Sequence, residues 1–324
     1  MRVMVTGASA PLGAAIVERL LAEPGVDRVL AVSREAVPPR VHPRLFQHAA
    51  DLAHPREVHD LIHGAATLHG IDTVIHAAQH RDPHDAGGGA HTQTVESARW
   101  LVLACAAHAT IRRFVHRSFA DVYAQRDTTP TLIDEDAPLE LDPAAPQWLR
   151  DRVEADLTVR AHHTDRLQIA VLRLAELLAR DTGSQLWDYL SSRICLRPAG
   201  FDPIINVLAL DDSAAAFATA ARSSATGAFN IPGRDTLPLS CAIAQSGRSC
   251  VAVPSSVIAP LYKLRRAVTG LAFRYDLNVA RFHFGGMVDG GRAARELGYQ
   301  PRARVVWPRP WWRVLLQRLA ETRC

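Results

Sequence analysis

Residues 1–21 read MRVMVTGASAPLGAAIVERLL, and the fold turns on the eight from Thr6 to Gly13, TGASAPLG. A short apolar run, Arg2–Val5, leads into a glycine-bearing turn, and Leu12–Leu21 then carries apolar residues at helical spacing. Strand, tight turn and helix in that order do one physical job. The turn lets the backbone approach a pyrophosphate, and the helix N-terminus points free N–H groups and partial positive charge at it. Gly7 makes the turn and Gly13 lets the helix pack on the strand, while Ala10 stands where a middle glycine is usual. A methyl group there is tolerated if φ stays negative. Thr6, Gly7, Ser9, Ala10, Pro11, Leu12 and Gly13 are therefore the first candidate cofactor-binding residues.

Such a turn also occurs without a ligand, so its neighbours matter. The second strand, Val29–Val32, ends in Ser33-Arg34. An acidic residue there would bond the ribose hydroxyls and repel a 2′-phosphate, whereas serine and arginine offer that phosphate a hydroxyl and a positive charge. NADP is therefore expected over NAD. After a third strand, Leu45–Ala49, the pair Asp51-Leu52 sits where a carboxylate could accept the adenine amino group. The fourth strand, Thr73–His76, closes on His76-Ala77-Ala78, small enough for a nucleotide to lie against the backbone.

Strand and helix signals alternate through the first half, with helices at Pro55–His63 and Thr94–His108 and a fifth strand at Arg113–His116. That rhythm implies an α/β fold, a doubly wound parallel sheet of Rossmann type covered on both faces. Residues 1–173, with 204–232 returning to them, read as the dinucleotide-binding domain. Residues 174–203 and 233–306 read as a smaller substrate lobe, and 307–324 as a tryptophan- and arginine-rich tail. Arginine dominates the basic residues, with Lys263 the only lysine, and the net charge is +4. No block of like charges or zinc-finger spacing points to nucleic acid. Five scattered cysteines, without a CxxC pair, suit reduced thiols and a cytoplasmic setting. No signal peptide or uncharged run of membrane-spanning length is read.

The segments TGASAPLG, Asp51-Leu52, VIHAAQ, FVHRSFADVYA and VLRLAELLA resemble, in order and spacing, the extended short-chain dehydrogenase/reductases, the NAD-dependent epimerase/dehydratase family. NVLALDDSAAAFATA, FNIPG and RAARELGYQPR agree with it, so that the likeness runs from residue 1 to about 303. It implies a bound nicotinamide cofactor, a small-molecule substrate and pairing of two copies through helices near 94–108 and 147–162. It also implies chemistry by a tyrosine, a lysine four residues later that lowers the tyrosine pKa from about 10, and an orienting serine or threonine.

Those catalytic positions have changed. Counting back four from Tyr123 lands on Phe119, and Ser118 falls one residue early. A one-residue shift on a strand end turns the side chain to the other face. In PQWLRDRVEADL the tyrosine and lysine positions become Pro146 and Arg150, or, two residues on, Trp148 and Arg152; the asparagine that usually opens the long helix is Thr94. The candidate catalytic set is Ser118, Tyr123 and Arg150, with His80 and His84 as stand-in bases in a loop over the nicotinamide side. His59 and His63, one helical turn apart, lack a third ligand at a convincing spacing, so no metal is expected. Gly87-Gly88-Gly89 reads as a lid loop. The 307–324 tail, near the basic spot of Lys263, Arg265 and Arg266, could touch a membrane surface or a partner. Two readings stay open: an atypical NAD(P)-dependent oxidoreductase or epimerase lacking the Tyr-Lys pair, and a non-catalytic dinucleotide-binding sensor or scaffold.

Overall fold

Short runs of β-branched and aliphatic residues, fully buried, build the centre. Val3, Met4 and Val5 are each 0% exposed, which a strand achieves only when both faces of its sheet are covered. A computed structural model describes residues 1–35, 41–85, 87–270 and 272–308. Its main sheet has seven strands in the spatial order Gly227–Ile231, Gln168–Leu174, Arg113–Phe119, Thr73–His76, Arg2–Thr6, Arg28–Ser33 and Leu45–Ala49. All adjacent pairs are parallel. The doubly wound expectation therefore holds. The order reverses between Arg2–Thr6 and Thr73–His76, and ligands of open α/β sheets bind at the carboxyl ends beside such a reversal.

Two cores flank the sheet. One packs Leu12, Ile16 and Leu20 of helix Pro11–Ala22 with Phe217 and the alanines of helix Leu210–Arg222. The other packs Leu61, Ile62, Leu101, Val102 and Val159. A third core, aromatic-rich around Tyr189, Tyr262, Phe273 and Phe282, belongs to the smaller lobe. Strand Ile204–Leu208, the start of the 204–232 segment expected to return to the dinucleotide-binding domain, pairs with Asp235–Pro238 and Glu176–Leu177 in a separate three-stranded sheet. Helix Leu210–Arg222 and strand Gly227–Ile231 then rejoin the large unit. Between the fifth strand and helix Gln147–Ala161 lies a two-residue strand, Leu132–Ile133, paired with Met287–Val288. Residues 309–324 of the tail lie outside the described residues. Among those described, no helix is long and apolar enough to cross a membrane.

A polar network crosses the buried centre. Arg173 and Asp156, both side chains 0% exposed, form a two-pronged ion pair: Nε donates to Oδ2 at 3.0 Å and Nη2 to Oδ1 at 2.9 Å. Ser118 donates to the same carboxylate at 2.6 Å. Arg173 Nη1 donates to the Tyr123 hydroxyl at 2.9 Å, and that hydroxyl donates to Asn230 at 2.7 Å. Burial opposes ionisation of Asp156, but the hydrogen bonds and charge of Arg173 outweigh it and hold the carboxyl below the usual range.

Removing one partner strands the other charge in the interior. Asp156→Asn is expected to lower unfolding free energy by about 3–5 kcal/mol, read as a drop in urea midpoint. A double variant, Asp156→Leu with Arg173→Met, is expected to recover much of that loss. An unchanged midpoint for Asp156→Asn would contradict the account.

His76 and His116, stacked with ring centroids 5.4 Å apart, lie beneath the same sheet end. Burial lowers both, His76 with the help of the neighbouring His116, and His116 to about 4 against the opposing charge of Asp156. The unfolded chain binds the proton near 6.5, so it gains protons first as pH falls, and the stability present at neutral pH is lost between about 6.5 and about 4. For His116 alone the loss is on the order of 3 kcal/mol. His116→Gln should flatten the fall in urea midpoint across that window.

Candidate functional site

At the carboxyl ends of the strands, beside the reversal, lies a cleft of about 620 Å³. Gly7 sits at φ +69°, and a Cβ there would stand 2.7 Å from the Ala78 Cα. The turn must therefore be glycine. Gly13 is as constrained, since a Cβ would fall 2.1 Å from the Gly7 carbonyl oxygen. Ala10 keeps φ −80° as the N-cap of helix Pro11–Ala22. Its methyl group carries no backbone strain. The helix has no acidic residue in its first turn, and Pro11, which has no N–H to leave unbonded, begins it.

Gly7, Ser9, Ala10, Ser33, Arg34, Asp51, Leu52, Ala77 and Ala78 line the cleft. Thr6 and His76 do not face it. They are 0% and 1% exposed, with the Thr6 hydroxyl 2.8 Å from His76 Nδ1. Pro11, Leu12 and Gly13 stand behind the turn as the start of its helix. Arg34 is exposed, beside Glu35 at 3.8 Å. One Asp51 oxygen accepts the Ala53 N–H at 3.0 Å. Gln79, Gln93, Ser97 and Arg117 also line the cleft, which the sequence reading missed.

The loop after His76 closes the inner end by reaching the smaller lobe. Arg81 donates to the Asp181 carbonyl at 2.7 Å, His84 bonds the Ala272 carbonyl at 2.9 Å, and Arg274 donates to the Pro83 carbonyl at 2.7 Å. His80 is fixed between Gln93 at 3.0 Å and the Asp82 carbonyl at 3.0 Å. Both histidines thus serve as tethers in the closed loop.

The expected catalytic set does not converge. Ser118 spends its hydroxyl on Asp156, below the cleft, as strand alternation requires. Tyr123 is buried in the Arg173 network; burial, only partly offset by Arg173, pushes its phenol up to about 12. It cannot exchange a proton near neutrality. Arg150 lies on the exposed side of helix Gln147–Ala161, bonded to Gln147.

The register two residues on is the one that faces inward. Trp148 and Arg152, one helical turn apart, line an inner pocket of about 50 Å³ together with Arg117, Phe119 and Glu176. The Arg152 guanidinium carbon lies 3.8 Å from the Phe119 ring centroid and 4.3 Å from that of Trp148. The cation is stacked between two aromatic faces. It also pairs with Asp121. Burial pulls Arg152 down from its ordinary value, against the Asp121 charge. In that register the residues expected at the serine, tyrosine and lysine positions are Phe119, Trp148 and Arg152, a fixed charge between rings with no hydroxyl to titrate. The signal was in the sequence: residues 117 and 119 share one strand face, and 148 and 152 one helix face.

Elsewhere, His91, Asp151 and Glu154 bring ligand atoms within 4.8 Å of one another. Their polar groups already have partners: His91 bonds Asp151 at 2.8 Å, Gln147 donates to Asp151, and Arg99 pairs with Glu154 at 3.2 Å.

The cleft fits a dinucleotide on its own geometry. A Cβ would block the glycine turn, and the buried Gln79 Oε1 of the lining lacks a partner. Comparisons with known proteins agree. The model of the NAD dependent epimerase/dehydratase family matches residues 3–231. An uncharacterised protein of Mycobacterium tuberculosis is 31% identical over 94% of this chain and 81% of its own length. A 3-diazoavenalumate denitrifying reductase of a Streptomyces species is 28% identical over 93% of this chain and 96% of its own. In fold, the chain is similar to the UDP-glucuronic acid 4-epimerase of Bacillus cereus, solved with UDP-glucuronic acid and NAD. The TM-score is 0.69 at 15% identity, covering 94% of this chain and 95% of that one. The dTDP-glucose 4,6-dehydratase DesIV of Streptomyces venezuelae, solved with NAD, gives 0.69 at 20% identity, covering 94% and 93%. The family match spans most of the chain, and with it the chain belongs to the NAD-dependent epimerase/dehydratase family of extended short-chain dehydrogenase/reductases.

Proposed function

We propose that this chain is a nicotinamide-dependent reductase that stabilises developing negative charge on its acceptor with a fixed arginine, Arg152, instead of donating a proton from tyrosine. The observation that carries the reading is the stack of Phe119, Arg152 and Trp148 where the family has its acid–base groups. Gly7, Ser9, Ala10, Asp51, Ala77 and Ala78 would hold the dinucleotide, with the free N–H groups of the first turn of helix Pro11–Ala22 against its pyrophosphate. A reduced nicotinamide bound there supplies hydride.

The residues present favour one direction. Oxidising an alcohol requires a base to take the hydroxyl proton, and Tyr123 is locked in the interior while Phe119 and Trp148 have nothing to titrate. Reducing an acceptor asks only that its growing negative charge be met. Arg152, buried between its two rings, meets it in a poorly solvated pocket where such charge is worth most. The proton that completes the product then comes from water. Dehydration and epimerisation both begin with the oxidation that lacks a base. The name of the Streptomyces relative, a reductase, agrees.

The same reading assigns NADP over NAD, through Ser33 and Arg34 at the rim. Arg34→Asp should weaken NADPH binding by about tenfold or more and leave NADH binding within about twofold; equal losses for both would remove the phosphate-reading role. The reductase itself is tested with NADPH deuterated at C4 and a panel of electron-poor aromatic and carbonyl acceptors. Deuterium is expected in product, and the rate with Arg152→Met should fall by about a hundredfold. A protein that binds NADPH and transfers no label to any acceptor would favour the sensor reading.

A further inference from the structure

We infer that the inner pocket is a seat for a single carboxylate on the substrate, and that Arg117 is the charge this carboxylate neutralises. The inference rests on the reductase reading only in placing substrate, rather than cofactor, in that pocket.

Arg117 is 6% exposed. Its Nη2 reaches the Thr182 carbonyl at 3.4 Å, a long contact, and its Nε has no partner. Among the described residues no carboxylate lies within ion-pair distance of it. A buried cation without a counter-ion is strongly disfavoured and awaits an anion. Two further buried donors in the same lining are also unpartnered: Nε of Arg152, which is 8% exposed, and Nε2 of Gln185, which is 6% exposed. Three orphaned N–H donors on one small cavity, against a single orphaned acceptor, Asp121 Oδ1, are a polar site short of acceptors.

Charge and size narrow the class. The lining holds three arginines and two carboxylates: Arg152 pairs with Asp121, and Arg281 with Glu176 at 2.6 Å. Arg117 is left as one uncompensated positive charge. One negative charge balances it, and a phosphate dianion would not. About 50 Å³ suits a planar group of three heavy atoms, the shape an arginine fork meets best. The rest of the molecule has room next door, in a pocket of about 230 Å³ that shares Trp148, Arg152 and Leu277 and offers Pro83 and Pro146 as apolar walls. Burial, together with the charges of Arg152 and Arg81, draws Arg117 down to about 9, as expected for a cation not yet met by its anion.

The test is calorimetric titration of the full chain at neutral pH with benzoate, with the neutral isostere benzamide and with phenylphosphonate. Each is run without nucleotide and again with saturating NADP. Benzoate is expected to bind about tenfold or more tightly than benzamide in both series, and Arg117→Met to abolish that preference. Gln185→Leu should weaken benzoate alone by a few-fold. Equal binding of benzoate and benzamide by the unaltered protein overturns the inference, whether or not Arg117→Met folds. Stronger binding of phenylphosphonate overturns the single-charge assignment. Loss of benzoate binding when NADP is present would show that Arg117 serves the cofactor. If the benzoate preference persists while no deuteride transfer is found, the reductase reading fails and the carboxylate seat stands.

Discussion

The ion pair between Asp156 and Arg173 sets the geometry from which the site follows. Asp156 lies on helix Gln147–Ala161 and Arg173 on strand Gln168–Leu174, and their two-pronged contact fixes the rotation of that helix against the sheet. Trp148 and Arg152 precede Asp156 by eight and four residues, so they share its helix face. Once Asp156 is anchored, these two must lie along the sheet surface, one and two turns nearer its carboxyl end. Arg150 is turned to solvent by the same constraint. Two full charges of zero exposure persist only because they pair with each other and their remaining hydrogen-bonding groups are met by Ser118 and Tyr123.

The network also explains why the most inviting side chains do no work in the cleft. A serine and a tyrosine near the end of the fifth strand of a dinucleotide fold invite a catalytic reading. Both hydroxyls are instead used in binding strand Arg113–Phe119 to its neighbours, through Asp156, Arg173 and Asn230. Alternation along the strand hints at this for Ser118, since Phe119 takes the cleft side. Nothing local hints at it for Tyr123, whose partner Asn230 is 107 residues away.

The parts legible from sequence were those governed by neighbours in the chain. Gly7 and Gly13 are dictated by the path of the backbone, Ala10 by an ordinary φ, and the parallel sheet by alternating apolar runs and helices. Helix rotation was not among them. Both registers of the 146–152 segment satisfy the same sequence spacing, and only the distant Arg173 chooses between them. The tethering of the 80–84 loop was equally hidden, because its partners, Asp181 and the Ala272–Arg274 stretch, lie about 100 and 190 residues on. The sheet that strand Ile204–Leu208 joins was hidden for a related reason. An apolar run fixes that a strand forms, and long-range pairing decides with what.

Phe119, Trp148 and Arg152 have to be understood together. A lysine at 152 would place a compact, strongly hydrated ammonium between two aromatic faces, with no tyrosine hydroxyl to accept from it. A guanidinium is flat, weakly hydrated and able to stack on both rings while pairing edge-on with Asp121. A serine at 119 would remove one of those faces. The three changes therefore form one consistent substitution, in which a hydrogen-bonded relay gives way to a clamped cation. Clamping has a kinetic consequence: a charge that neither moves nor changes protonation state gives no reorganisation energy to be met as negative charge builds on the acceptor. The stack holds a charge and offers no hydroxyl to carry a proton, and that is the ground on which hydride delivery to an electron-poor acceptor is proposed.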